Sequence, residues 1–249
     1  MLDGSLPAEL LDWRLGVAFA ISIGAGLIRG FSGFGSVMLT APSLAMLYGP
    51  LRMIVIVLVM ESAISLSLIA GAVRDAEWRF VGALSAAAAL AMPFGSLLLT
   101  AADPDWLIRG IGGIVLVFVL LLWSGWRYRG PKRLPITLLL GTVSGAMVGA
   151  TSMGGPPVLA YMLAGQDSAR VNRANIILYF TALEALLAAI MAARGLIDLD
   201  GLVTGAVLTP GFLLTGWLGA RSFRAASEAL YRRVALLALT AIALFALLR

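Results

Sequence analysis

Three ionisable side chains fall inside long apolar stretches of this chain: Arg29, Glu61 and Glu184. An arginine near the centre of a bilayer costs at least about 2.5–3.5 kcal/mol on insertion scales, so it needs a counter-charge or a wet cavity. Its planar donor fork suits a carboxylate, a sulfonate or a sulfite. Glu61 and Glu184 each sit near the middle of an apolar run, 51–72 and 175–194. Carboxylates at that depth are candidates for proton coupling or for ion pairing. On the plainer reading Arg29 neutralises Glu61, and Ser62, Ser65 or Thr181 satisfy the carboxylates as structural partners.

Two glycine-rich breaks provide the second set of candidates. The first spans 26–42 and the second 145–157, and Gly26, Gly30 and Gly35 match Gly145, Gly149 and Gly154 at a constant offset. The tips would be Ser32, Gly33, Phe34, Gly35 and Ser36 in one, and Thr151, Ser152, Met153, Gly154 and Gly155 in the other. Glycine permits a tight turn and lets main-chain N–H groups approach a ligand. The helix after each tip opens with unsatisfied N–H donors and a partial positive charge, a ready site for an anion. The G-x-x-x-G pairs Gly26/Gly30 and Gly145/Gly149 serve equally well as close helix contacts. Arg52, Asn172 and Asn175 are candidates for an entrance vestibule, with loop and cap roles as the ordinary alternative.

These residues need membrane helices to position them. Apolar residues make up 61 % of the chain and charged residues 12 %, with a mean hydropathy of +0.99. A soluble protein carries about 25 % charged residues, so this is a membrane protein. The net charge of +5 points to basic loops facing anionic lipid, and not to nucleic acid. The absence of cysteine and histidine removes disulfides, thiol chemistry and the commonest base and metal ligand, so neither a metal nor a cofactor is expected. Residues 1–12 are acidic and lack a basic n-region, which argues against a cleaved signal peptide. The tryptophans at 13, 78, 106, 123, 126 and 217 read as an interfacial belt.

A spanning helix needs about 20 apolar residues. The runs 51–72, 79–100, 106–126, 175–194, 202–220 and 234–248 meet or approach that length. The pieces beside the breaks, 15–28, 37–48, 136–148 and 158–164, are too short to span comfortably. The expected fold is therefore all-α and polytopic: two inverted repeats, each a re-entrant or broken-helix hairpin followed by three transmembrane helices. The first repeat covers 13–126, a cytoplasmic linker 127–134, and the second repeat 135–249. Pro93 pairs with Pro210 and Arg109 with Arg233. Glu61 pairs with Glu184 if four extra residues lie in the loop 166–175. The hairpin form places most Lys and Arg on one side, as the positive-inside rule demands, and both termini on the periplasmic side. Three spans per half then invert the second half. Helix breaks at corresponding places in two inverted halves point to the substrate site of a secondary transporter.

The paired breaks, with Pro42 and Pro157 after them and Pro93, Gly95, Pro210 and Gly211 further on, resemble the sulfite exporter TauE/SafE family, also called the four-toluene-sulfonate uptake permease family. The resemblance covers nearly the whole chain. It implies transport of small sulfur-containing anions (sulfite, sulfoacetate or related organosulfonates) across the bacterial inner membrane, with the lipid bilayer and a small anion as partners. A homodimer is a further candidate assembly. Ser36-Val37 and Pro156-Pro157 stand where the family is often richer in glycine, and Phe31 and Phe34 are expected to shape the pocket toward an organic anion. An anion channel or a structural membrane subunit is the alternative. An intramembrane serine hydrolase, suggested by Gly30-Phe-Ser-Gly33, lacks the histidine base that this chemistry needs.

Overall fold

A computed structural model describes residues 12–101, 132–164 and 167–223, with isolated positions between 103 and 124. The described residues form helices α1 (Trp13–Ser32), α2 (Ser36–Tyr48), α3 (Pro50–Ala72), α4 (Trp78–Ala101), α5 (Leu134–Thr151), α6 (Gly155–Ala164), α7 (Ala169–Ala193) and α8 (Leu199–Phe223). Six of them, all but α2 and α6, are long and apolar enough to cross a membrane by length and composition. The expected spans 106–126 and 234–248, the residues Arg109 and Arg233, Trp123, Trp126 and most of the linker lie outside the described residues.

The molecule is apolar outside and partly polar within. Leu90, Phe94, Leu139 and Leu214 are exposed, whereas Arg29, Glu61, Ser65 and Ser144 are buried. That reverses the soluble pattern and suits a hydrocarbon surround. Trp13, Trp78, Trp106 and Trp217 are all exposed, as an interfacial belt requires.

Both breaks are hairpins. Arg14 Nη1 at the start of α1 donates to Leu47 O near the end of α2 at 3.4 Å, and Gly24 faces Leu39 in between. In the second hairpin Ser144 Oγ donates to Gly154 O near the tip, and the Arg133 N–H donates to Tyr161 Oη at the base. The breaks are narrower than the glycine spacing suggests. α1 runs on through Gly26 and Gly30 to Ser32, and α5 runs through Gly145 and Gly149 to Thr151. Each first arm is thus long enough to cross, contrary to the expectation from sequence.

Packing explains why these glycines stay helical. A Cβ on Gly26 or Gly30 would overlap the Phe212 or Gly216 carbonyl of α8. One on Gly145 or Gly149 would overlap the Ala88 or Met92 carbonyl of α4. The G-x-x-x-G pairs are close-approach surfaces. They are also exchanged: α1 packs along α8, and α5 packs along α4. The remaining contacts follow suit, with α3 on α8, α4 on α7, and α3 on α7 in the middle. Pro93 and Pro210 lie inside α4 and α8.

The register between the halves is constant through the tips and into the helices that follow them. α1 and α5 end, α2 and α6 begin, and α3 and α7 begin, each pair 119 residues apart. No four-residue insertion separates the tips from the following helices. Glu61 therefore corresponds to Phe180 and Ser65 to Glu184, so the two glutamates stand one helical turn apart in the frame.

Candidate functional site

The first tip is shaped by two left-handed glycines. Gly33 (φ +79°) ends α1, its N–H returning to Arg29 O at 2.8 Å, and Gly35 (φ +91°) begins α2. Only glycine adopts that conformation without a Cβ penalty. In the second tip the left-handed position falls to Ser152 (φ +59°), whose N–H returns to Val148 O. The tips meet. A Cβ on Gly155 would lie 3.3 Å from Phe180 Cζ and 3.8 Å from Met38 Cε of the first hairpin.

Between the tips is a pocket lined by Arg29, Phe34, Gly35, Ser36, Val37, Met38, Ser152, Met153, Gly154, Gly155, Leu159, Phe180 and Glu184. Its cavity volume is about 30 Å³. One water needs about 10–15 Å³ on that measure, so the space suits a group of a few heavy atoms. A second pocket of similar size lies alongside, lined by both Glu61 and Glu184 and walled by Val57, Val148, Leu183 and Leu187.

Arg29 ties the site together. Its side chain is only 3 % exposed. Nη1 donates to Gly33 O at 2.6 Å, and Nη2 donates to Ser65 Oγ at 2.9 Å and Glu184 Oε1 at 3.3 Å. Nε lies 3.0 Å from Glu61 Oε2, a contact of charge without hydrogen-bond alignment. The guanidinium also sits 5.8 Å from the centre of the Phe180 ring. α3 thus contributes Glu61 and Ser65 and α7 contributes Phe180 and Glu184, two residues at i, i+4 from each helix. The position of Arg29 in the other half is Val148, in the wall of the second pocket.

Two polar atoms face this space without partners. Ser152 Oγ and Glu184 Oε2 are buried and make no hydrogen bond within the described residues. Buried polar atoms are normally satisfied, so two orphans around one pocket mark a place for a polar ligand or water. The start of α2 adds main-chain N–H groups that no side chain caps. α6 offers fewer, because Pro156 and Pro157 in its first turn carry no N–H.

A family model described as sulfite exporter TauE/SafE matches residues 18–246. The chain belongs to that family. TauE/SafE proteins are multi-pass membrane transporters of small anions and not enzymes, which disposes of the serine-hydrolase alternative. No curated protein and no solved structure matches the chain.

Against the TauE/SafE frame, the residues expected from sequence divide clearly. Arg29, Phe34, Gly35, Ser36, Ser152, Met153, Gly154, Gly155, Glu61 and Glu184 all line one or both pockets. Gly33 stands behind the tip, against Arg173. Thr151 is turned inward, donating to Met147 O and accepting from the Met153 N–H. The side chain of Ser32 lies outside the described residues. The backbone of Phe31 lies against Gly219 of α8 and Phe31 is not in the lining of either pocket, where the aromatic residues are Phe34 and Phe180.

The vestibule trio lies elsewhere. Arg52 pairs with Asp198 at 2.9 Å and Asp200 at 3.1 Å. Asn175 accepts the Glu77 N–H ahead of α4, and Asn172 donates to Asp167 O. All three have structural partners, and none is in the lining of either pocket. Lys132 bridges Glu77 and Asp167 at the end where the linker meets α4 and α7. Burial alone would lower its ammonium, but hydrogen bonds and charge from Asp167 and Glu77 outweigh that and hold it above the usual lysine value.

Sequence reasoning missed Ser144, Tyr179 and the tip role of Arg173. Tyr179 Oη, fully buried, donates to Ser144 Oγ at 2.8 Å, and Ser144 Oγ donates to Gly154 O at 2.5 Å, which bolts the second tip. Arg173 Nη2 donates to Gly30 O at 3.0 Å, holding the first. A cation at a helix C-terminus also complements its dipole.

Proposed function

We propose that the chain moves small sulfur-containing anions, such as sulfite, sulfoacetate or a related organosulfonate, across the bacterial inner membrane by alternating access about the pocket between the two tips. The observation that carries this reading is the meeting of two hairpin tips around Arg29, with the orphaned Ser152 hydroxyl and uncapped N–H groups facing the same space. Arginine and helix N-termini are the standard means of holding an oxyanion without a metal. The small free volume favours a sulfite- or methanesulfonate-sized head over an aromatic sulfonate.

In this reading residues 13–126 and 135–249 are inverted repeats joined by a cytoplasmic linker at 127–134, with both termini periplasmic. The exchange of α1 onto α8 and α5 onto α4 supports it, since two halves related by a two-fold axis share contacts reciprocally. Rocking of the halves would open the tips to one side and then the other. An inside-negative potential favours outward movement of net negative charge at about 2.3 kcal/mol per charge per 100 mV.

Flux of sulfite and sulfoacetate into proteoliposomes tests the proposal. Saturable uptake that Arg29→Ala abolishes is the expected result. Transport of a different class of anion, with no flux of any sulfur oxyanion, would rule out the substrate class. Conductance without saturation would make the protein a channel.

A further inference from the structure

Four partners crowd the Arg29 guanidinium: Gly33 O, Ser65 and Glu184 accept its hydrogen bonds, and Glu61 lies against Nε as a counter-charge. An incoming anion that takes over a charge-paired donor of Arg29 must displace the carboxylate that holds it. Gly33 O is main chain at the tip, Ser65 is wholly buried, and the Glu61 side chain is 3 % exposed. Glu184 is held differently. Its contact is the longest of the four at 3.3 Å, its side chain is 14 % exposed, and Oε2 has no hydrogen-bond partner. It also lines both pockets, so it stands between the space at the tips and the space beside Glu61.

Resting on the anion-transport reading above, we propose that the small anion and the Glu184 carboxylate compete for Arg29, and that Glu184 is released as the neutral acid, so that one proton enters the site with each anion. The surrounding charges make the proton necessary. Facing Glu184 are Arg29 from α1 and Glu61 from α3; the α2 and α5 sides of the pockets bring only hydroxyl, glycine and apolar groups, and α6 brings Leu159. Arg173, on α7 itself, is engaged with Gly30 O behind the tip. Were Glu184 to keep its charge after displacement, two carboxylates and the anion would share one guanidinium between walls of leucine and valine. Unpaired charge is not tolerated in such surroundings.

The step balances simply. A hydronium ion gives its proton to a Glu184 carboxylate oxygen as the Arg29 contact breaks: one O–H bond of the hydronium breaks, one forms on Glu184, and neutral water leaves. The second pocket gives the displaced side chain room beside Leu183 and Leu187. When the anion leaves, the proton returns to water and Glu184 returns to Arg29. A monoanion therefore crosses as an electroneutral pair with its proton, and a dianion carries one net negative charge.

The test is calorimetric titration of the full-length protein in nanodiscs with methanesulfonate, an anion that carries no proton of its own, and with sulfate as a second probe. Buffers of different ionisation enthalpy report the protons taken up. The expected result is about one proton per anion at about pH 8 and above, where affinity falls about tenfold per pH unit. Glu184→Gln should bind with no proton uptake and a flat pH profile, while Glu184→Asp, which keeps the carboxyl, keeps the uptake. Binding to the wild-type protein without proton uptake, or uptake unchanged in Glu184→Gln, would overturn the competition and leave anion transport standing. Failure of both probes and of sulfite to bind at any pH would overturn both.

Discussion

The two hairpin tips share a backbone plan and present opposite chemistry to the space between them. Each is three residues long, 33–35 and 152–154, and each begins with a left-handed residue. In the first that residue is Gly33, and α2 follows with the uncapped N–H groups of Ser36, Val37 and Met38. In the second it is Ser152, which accepts roughly 1–2 kcal/mol of backbone strain, and α6 follows with two prolines. Arginines 29 and 173 tie down the first tip, whereas the neutral chain Tyr179–Ser144–Gly154 ties down the second. A shared frame can thus be decorated unequally. On the proposed function the first tip holds the charge and the second closes the wall.

That comparison is most severely stressed at Arg29. Arg29→Ala leaves Glu61 and Glu184 buried without their cation, a loss expected to destabilise the protein by about 3–5 kcal/mol. Val148→Ala, at the corresponding position, should cost about 1–3 kcal/mol for the two carbons it loses. Thermal unfolding of the purified proteins compares the two. Equal losses would mean that the asymmetry has no energetic weight.

Substitutions in the frame should instead behave alike. Gly30→Ala forces α1 away from α8, and Gly149→Ala forces α5 away from α4, each at about 1–3 kcal/mol. A large effect from one and none from the other would break the shared-frame account. Tyr179→Phe removes the hydroxyl that holds Ser144, at about 0.5–1.5 kcal/mol, and should leave anion affinity intact.

The smallest effect is expected at the end of the molecule away from the tips. Lys132→Ala should cost at most about 1 kcal/mol, because its partners are partly exposed. Lys132 is held above the usual lysine value in the fold, so its contribution is complete below the unfolded value of about 10.4 and fades as pH rises through the folded one. Unfolding curves of the two proteins should therefore converge in strong alkali.

Much of this was readable from residue types. Arg29, Glu61 and Glu184 stood out because charge is rare in apolar runs, and the tips because Gly33, Gly35 and Gly154 interrupt them. The described helices α3, α4, α7 and α8 fall on the expected runs to within a few residues at most ends, with α7 beginning earlier. Other features had no local signal. Gly26 and Gly30 look like breakers, and only α8 across from them shows that they are contact surfaces. Tyr179 and Ser144 are 35 residues apart and meet through tertiary packing alone. Glu61 and Glu184 resembled counterparts because both are acidic, yet the constant register through the tips and the helices after them places each opposite a different residue type. Ser65 and Phe180 could have been weighed more heavily, since each lies one turn from a buried glutamate on the same face.

The division of labour between the tips is tested most directly by exchanging their first-turn chemistry. Val37 and Pro156 occupy corresponding positions, so Val37→Pro gives α2 the missing donor of α6, and Pro156→Ala gives α6 the donor of α2. Sulfite binding to the full-length proteins should weaken about tenfold or more in Val37→Pro, the worth of one hydrogen bond to a charged group, and hold or improve in Pro156→Ala. Unchanged affinity in Val37→Pro, measured on protein whose unfolding temperature matches the wild type, would contradict an anion held at the first tip.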